Sequence, residues 1–73
     1  MITISNSIFD AKGENKKDKV YGITLNGSES VTIENCEFKN TGYSSILNHC
    51  MGDVTIKGCK FHCGNVYNPI EGG

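Results

Sequence analysis

The chain has no arginine and no tryptophan, and only two of its 73 residues are leucine. The absence of arginine removes the side chain best suited to bidentate recognition of phosphate and carboxylate groups. Seven lysines stand against eight acidic residues, and the net charge of −1 leaves no basic footprint for nucleic acid. The sequence therefore predicts no nucleic-acid partner.

Long apolar runs are also absent. No segment approaches the ~20 apolar residues that a membrane span requires, so no span is predicted. No signal peptide is visible either, because Met1 leads into Ile2 without a basic or extended apolar region. Met1 lies inside a repeat unit and Gly73 follows an incomplete one, so we expect a piece of a longer repeat protein.

The apolar residues that are present favour strands. Eight Ile, four Val and five Thr make β-branched side chains dominant, and these suit a pleated surface better than a helix. A chain of this length forms one domain and buries only about 60% of its unfolded surface. The composition predicts a small all-β domain of modest stability.

An eight-residue motif occurs three times. V-T-I-E-N-C-E-F at Val31–Phe38 returns as V-T-I-K-G-C-K-F at Val54–Phe61, and a degenerate copy, I-T-I-S-N-S-I-F, opens the chain at Ile2–Phe9. The copies are 29 and then 23 residues apart. One such unit cannot bury its own apolar face, so the copies must stack to form a core.

Within each copy the inward phase changes once. The apolar-Thr-apolar start is a strand with one buried face, and the following small-x-Phe must point inward from a new direction. The change requires a corner, and its column holds Asn6, Asn35 and Gly58, residue types that tolerate positive φ. The predicted buried columns are Ile4, Ile33 and Ile56, then Cys36 and Cys59, then Phe9, Phe38 and Phe61.

A further, weaker strand is predicted upstream of each later motif. The segments are Tyr21–Leu25, Ser44–Asn48 and Val66–Ile70. Turns then run roughly over 1–19, 20–42 and 43–65, with a partial turn at 66–73. The six extra residues of the first interval are assigned to a charged, solvated loop insertion at 11–19.

This pattern of apolar-x-apolar-x-Asn-Cys-x-Phe resembles the right-handed parallel β-helix, or pectin-lyase-like, family. The resemblance implies a short right-handed parallel β-helix of about three turns with ~23 residues each. Like residues of successive turns would stack at about 4.8 Å. It also implies an extracellular, cell-surface or phage setting. An antiparallel sandwich fragment explains the alternation but not the corner, and leucine-rich repeats require more leucine.

The cysteines and histidines leave alternatives open. Cys36 and Cys59 occupy an inward column that also holds Ser7, which favours small buried side chains over a disulfide. Cys50 and Cys63 each follow a histidine, His49 and His62. A disulfide between them or a zinc site are weighed against incidental loop or surface residues, which the spacing favours.

No catalytic residue, metal site or cofactor is predicted. Family lyases use Asp-bound calcium with an Arg or Lys base, and Asp10, Asp18 and Asp53 fall in different columns. Glycoside hydrolases need paired carboxylates, whereas here acids share columns with lysines: Glu34 with Lys57, and Glu37 with Lys60. These pairs predict salt links between turns.

The remaining candidates are aromatic. Tyr21, Tyr43 and Tyr67 recur near turn starts and, if outward, would form with His49 a strip for sugar rings; if inward, they are core. The expected function is a structural or carbohydrate-binding β-helix segment with polysaccharide as its partner. The alternative is a non-catalytic fragment of a lyase or glycoside hydrolase. Open ends predict self-association.

Overall fold

The structure, a computed structural model, describes residues 1–15, 17–64 and 68–72, which contain strands and turns but no helix. The nine short strands are β1 (Ile2–Ser5), β2 (Ile8–Asp10), β3 (Ile23–Leu25), β4 (Val31–Glu34), β5 (Glu37–Lys39), β6 (Ile46–Asn48), β7 (Val54–Lys57), β8 (Lys60–Phe61) and β9 (Ile70–Gly72). No helix long and apolar enough to cross a membrane is therefore present among the described residues.

The strands form three parallel sheets, and the chain visits them in the same order three times. Sheet A is β1-β4-β7, sheet B is β2-β5-β8 and sheet C is β3-β6-β9. The register puts like residues together: Ile4 on Ile33 on Ile56 in sheet A, and Phe9 on Phe38 on Phe61 in sheet B. The predicted all-β, three-turn stacked coil is confirmed.

The connections between the sheets differ in how much their lengths vary from turn to turn. Two residues join sheet A to sheet B in every turn, and five join sheet C to the next sheet A in both cases. Between sheets B and C, however, the connections run over 11–22, 40–45 and 62–69. The first of these is six residues longer than the second, which places the extra length of the first interval in the charged segment. All the variation in length lies at this one edge of the coil.

The sheet C strands begin later than the sequence indicates. Each starts at an isoleucine, Ile23, Ile46 or Ile70, and the residues just before it belong to the preceding connection. Strand β9 lies within the partial turn predicted at 66–73, and Val66 and Tyr67 lie outside the described residues. The carbonyl oxygen of Pro69 accepts the Ser45 amide at 2.6 Å, so the proline fits where it needs no N–H of its own.

The core is centred on the middle turn. Ile33, Phe38 and Ile46 are fully buried, and Cys36 is 2% exposed. The corresponding residues of the first and third turns, Ile4, Ile56, Phe9, Phe61 and Cys59, are only partly buried and pack against this centre. The predicted buried columns therefore exist, and within these columns full burial is reached only in the middle turn, which has neighbours on both sides.

The rings of the phenylalanine column stack face to face. Phe9 and Phe38 lie 5.2 Å apart between ring centroids, Phe38 and Phe61 lie 5.3 Å apart, and the planes are nearly parallel. Parallel strand spacing sets this distance, because in-register side chains repeat at the separation of the strands. The column runs through the whole coil and ends in one partly buried ring at each end.

Candidate functional site

The corner between sheets A and B turns on one residue per turn. Asn6 has a φ of 53°, Asn35 of 54° and Gly58 of 64°, all in the left-handed region that Asn and Gly reach at low cost. The next turn closes each asparagine corner through a backbone bond: the Asn35 amide donates to the Lys57 carbonyl at 3.1 Å. These residues hold the geometry that the sequence assigns to them.

The same corner forms a groove on the outside of the coil. Its volume is about 350 Å³, and it opens to solvent along the direction in which the turns stack. Asparagine amides, a serine, an aliphatic side chain and both signs of charge line it: Asn6, Asn35, Ser7, Ile8, Glu37 and Lys60. The sequence identified Asn6 and Asn35 as structural only, and no motif indicated that the corner is concave.

The two asparagine side chains are available to a ligand. Within the described residues, no protein group bonds to the side-chain amide of Asn6 or Asn35, and both residues are exposed. Gly58 continues the column without a side chain. A Cβ placed there would lie 2.5 Å from Oδ1 of Asn35, so the amide of Asn35 occupies part of that space. Both asparagines line the groove, and their side-chain amides have no hydrogen-bond partner among the described residues.

The residue after the corner supplies a donor as well as small size. The hydroxyl of Ser7 donates to the Ser5 carbonyl at 2.8 Å, and the thiol of Cys36 donates to the Glu34 carbonyl at 3.3 Å. The thiol of Cys59 repeats the bond to Lys57 at 3.5 Å. Small size alone does not explain this column, because each side chain also binds the carbonyl two residues earlier. Ser7 in the first copy indicates this hydrogen-bonding role, because its hydroxyl and the cysteine thiols are all donors.

Charged pairs run along the outside of the sheets. Glu34 and Lys57 form the ion pair expected from their column, with Nζ and Oε2 3.4 Å apart. The expected Glu37–Lys60 pair is wrong: among the described residues, Glu37 Oε2 lies 2.9 Å from His62 Nε2 and forms no ion pair with Lys60. His62 is the diagonal neighbour on the same face, a position within reach of a long side chain.

Tyr21 is occupied by a contact that spans the coil. Its hydroxyl donates to Oε2 of Glu71 at 2.8 Å, and Lys19 Nζ lies 3.7 Å from the same oxygen. Since β6 lies between β3 and β9, the tyrosine crosses the middle turn to reach the third. The hydrogen bond to Glu71, with burial and the negative charge beside it, raises the pKa of Tyr21 above its ordinary value of 10.0.

The tyrosines do not form one column. Tyr21 lies two positions before Ile23, whereas Tyr43 lies three positions before the paired residue Ile46, so the two are out of register. Tyr43 is 47% exposed, and His49 is exposed at the other end of β6. Tyr67 lies outside the described residues. Tyr43 and His49 are thus presented to solvent, while Tyr21 is held by Glu71.

Of the loop or surface positions that the spacing favours for Cys50 and Cys63, the structure shows loop positions in the connections between strands, and both residues are buried. They are 8% and 5% exposed, and no disulfide joins them. The thiol of Cys50 donates to the Glu29 carbonyl at 3.2 Å, which ties the connection after β6 to the one after β3. Burial follows because these connections also stack turn on turn. Within the described ranges no three His, Cys, Asp or Glu side chains are grouped closely enough to hold a metal ion.

The long connection over 11–22 is fastened to the middle turn. Asn40 Nδ2 and the Lys12 amide both donate to Oδ1 of Asp10 at 2.9 Å, and these bonds hold the pKa of Asp10 below its ordinary value of 3.8. Further along, the Tyr43 amide donates to the Asp18 carbonyl at 2.8 Å. Gly42 allows this approach, since a Cβ there would overlap the Asp18 carbonyl.

Comparison with known proteins supports the architecture and goes no further. No curated protein and no solved structure matches the chain. The family model described as "right handed beta helix region" matches residues 1–73, in agreement with the three stacked parallel sheets. The chain belongs to the right-handed β-helix family.

Proposed function

We propose that this chain is a structural β-helix segment that binds carbohydrate in the groove at its A–B corner. The observation that supports the proposal is that Asn6 and Asn35 line a groove of about 350 Å³ with side-chain amides that bond to none of the described residues. Amide groups both donate and accept, so they match the hydroxyl groups of a sugar. A groove that follows the stacking direction suits a chain of sugar units.

The other groove residues fit the same ligand. Ile8 is 66% exposed and offers an apolar surface for the C–H face of a sugar ring. Glu37 and Lys60 bring a carboxylate and an ammonium group to the rim. Sites of this kind combine apolar walls with a few placed polar groups. The ammonium of Lys60 favours acidic over neutral oligosaccharides.

Tyr43 and His49 provide a second surface for the same function. Their exposure at the two ends of β6 allows Tyr43 to stack on a sugar ring and His49 to bond to its hydroxyl groups. Tyr43 lies in the connection before β6 and His49 directly after β6, whereas the groove lies between sheets A and B. Variants can therefore test the two independently.

The decisive experiment compares two variants on an array of neutral and acidic oligosaccharides, followed by NMR titration of the best ligand. The double variant Asn6→Gly/Asn35→Gly keeps the positive-φ corners, as Gly58 does naturally, and removes both amides. We expect it to lose binding while Tyr43→Ser retains it. Loss in Tyr43→Ser alone would move the site to the surface of Tyr43 and His49, and no binding by the unaltered chain would refute the proposal.

A further inference from the structure

The two ends of the coil have matching columns. The first turn presents β1, β2 and β3 as edge strands, and the third presents β7, β8 and β9. Each edge strand has one side with backbone groups that no other described strand pairs, and such an edge can accept a further strand. We propose that copies of this chain stack head to tail, with the third turn of one copy pairing in register with the first turn of the next.

The side-chain columns continue across this junction without conflict. Applying the internal register puts Val54 and Ile56 of one copy on Ile2 and Ile4 of the next. In the ring column, Phe61 meets Phe9 of the second copy. The internal ring spacings of 5.2 and 5.3 Å would repeat there, so each partly buried terminal ring would gain a second neighbour.

The charges on the two ends are also compatible. Lys57 and Lys60 end their columns on the third turn, and the columns begin on the first turn with Ser5 and Ile8. In the described strand columns, no like charges meet at the junction. Ile8 is 66% exposed and Ile2 is 46% exposed, so the junction would also cover apolar surface that now faces water.

The long connection of the first turn is bonded toward the middle turn. The backbone bonds that this connection makes to other parts of the described chain run to the middle turn: the Ala11 amide donates to the Lys39 carbonyl and the Gly13 amide to the Asn40 carbonyl. These bonds join the described part of the segment to the middle turn. Ile2 on β1 and Ile8 on β2 remain exposed, so a stacking copy can reach these two edge strands.

Head-to-tail stacking joins two different surfaces and so does not close. A heterologous contact of this kind, when the rotation between copies does not close a ring, generates an open chain of subunits. A head-to-head pair would instead stop at a dimer. The expected product is a series of growing assemblies whose mean size rises with protein concentration.

A charge-swap series tests the contact between Lys60 of one copy and Ile8 of the next. Ile8→Lys places like charges at the junction and should raise the concentration needed for association by about tenfold or more. Ile8→Glu, its matched control, should preserve association. Inside one copy, position 8 pairs with Glu37, so Ile8→Lys is expected to stabilise the fold relative to Ile8→Glu. A loss of association in Ile8→Lys therefore cannot be explained by a loss of fold stability. Fold stability and association are therefore expected to change in opposite directions.

The double variant Ile8→Lys/Lys60→Glu identifies the register. It restores an opposite-charge pair at the junction, so sedimentation velocity should show association returning toward that of the unaltered chain. Circular dichroism establishes that each variant is folded. A monomer at every concentration, assembly that stops at dimers, equal behaviour of the two Ile8 variants, or absence of rescue would each overturn the proposal.

Discussion

The middle turn and the two outer turns share one eight-residue motif, but its residues lie in different environments. Phe38 is fully buried, whereas Phe9 and Phe61, in the same column, are partly exposed. In sheet A, Val31 is 3% exposed and its partner Ile2 is 46% exposed. The difference shows that burial here is a property of position in the stack. A turn contributes its full apolar stabilisation only when both neighbours are present.

The largest expected effect comes from truncating the ring column at its centre. Phe38→Ala removes a fully buried ring between two stacked partners and should cost about 3–5 kcal/mol of unfolding free energy. A domain of this size has little more stability than that. Urea denaturation followed by circular dichroism measures the loss.

Phe61→Ala is the matched control for this comparison. It removes the same side chain from the same column at an end of the coil, and we expect roughly half the cost because the ring is partly exposed. Equal losses for Phe38→Ala and Phe61→Ala under identical conditions would contradict the idea that position in the stack sets the contribution. An assembly that buries Phe61 would also reduce the difference between the two losses of unfolding free energy. The measurement should therefore be made at the lowest practicable protein concentration.

Backbone strain at the corner should not depend on the turn. Asn35→Val forces a β-branched residue to a φ of 54° and should cost about 1–3 kcal/mol. Asn6→Val, at a φ of 53° in an outer turn, should cost a similar amount, because the penalty is local. Thermal denaturation of both variants tests this equality, in contrast to the unequal phenylalanine variants.

Two further substitutions calibrate the corner. Thr32→Val introduces the same residue three positions earlier, on a strand, where it is well tolerated. Gly58→Asn should be mild, since the neighbouring Oδ1 of Asn35 can move aside. An unchanged melting curve for Asn35→Val would mean that the left-handed conformation of the corner is not needed.

The smallest effect concerns the contact that joins the outer turns across the middle one. The pKa of Tyr21 is raised in the folded state, so the fold favours the protonated phenol. Its contribution to stability is present in full below pH 10 and is lost as the pH rises through the folded pKa. Melting temperatures between pH 8 and 11 should fall more steeply for the unaltered chain than for Tyr21→Phe. Parallel curves would show that the Tyr21–Glu71 bond contributes nothing.

The sequence was sufficient for features that repeat with the chain. Strand columns, the left-handed corner and the Glu34–Lys57 pair all follow from aligning three copies, because parallel stacking brings aligned residues together. Contacts that leave their column were not predictable in this way. His62 reaches Glu37 diagonally, and Tyr21 reaches Glu71 over an intervening strand. Both depend on side-chain reach and conformation, which column alignment does not encode.

The groove at the corner between sheets A and B was not predicted from the sequence, for a related reason. The alignment indicates which residue adopts positive φ, but not that Asn6 and Asn35 leave their amides unpaired at a groove. The buried positions of Cys50 and Cys63 were also missed, since the connections carry no repeated motif to align. Loop-to-loop stacking, as in the bond from Cys50 to the Glu29 carbonyl, becomes visible only in three dimensions.

The connections between sheets B and C give the coil one edge where chain length is free to change. The segments over 11–22, 40–45 and 62–69 differ in length, yet the strand columns on either side stay aligned. A longer connection is therefore accommodated here while the strands on either side keep their register. For protein engineering, these connections offer one position per turn for displaying foreign peptides, all between sheets B and C.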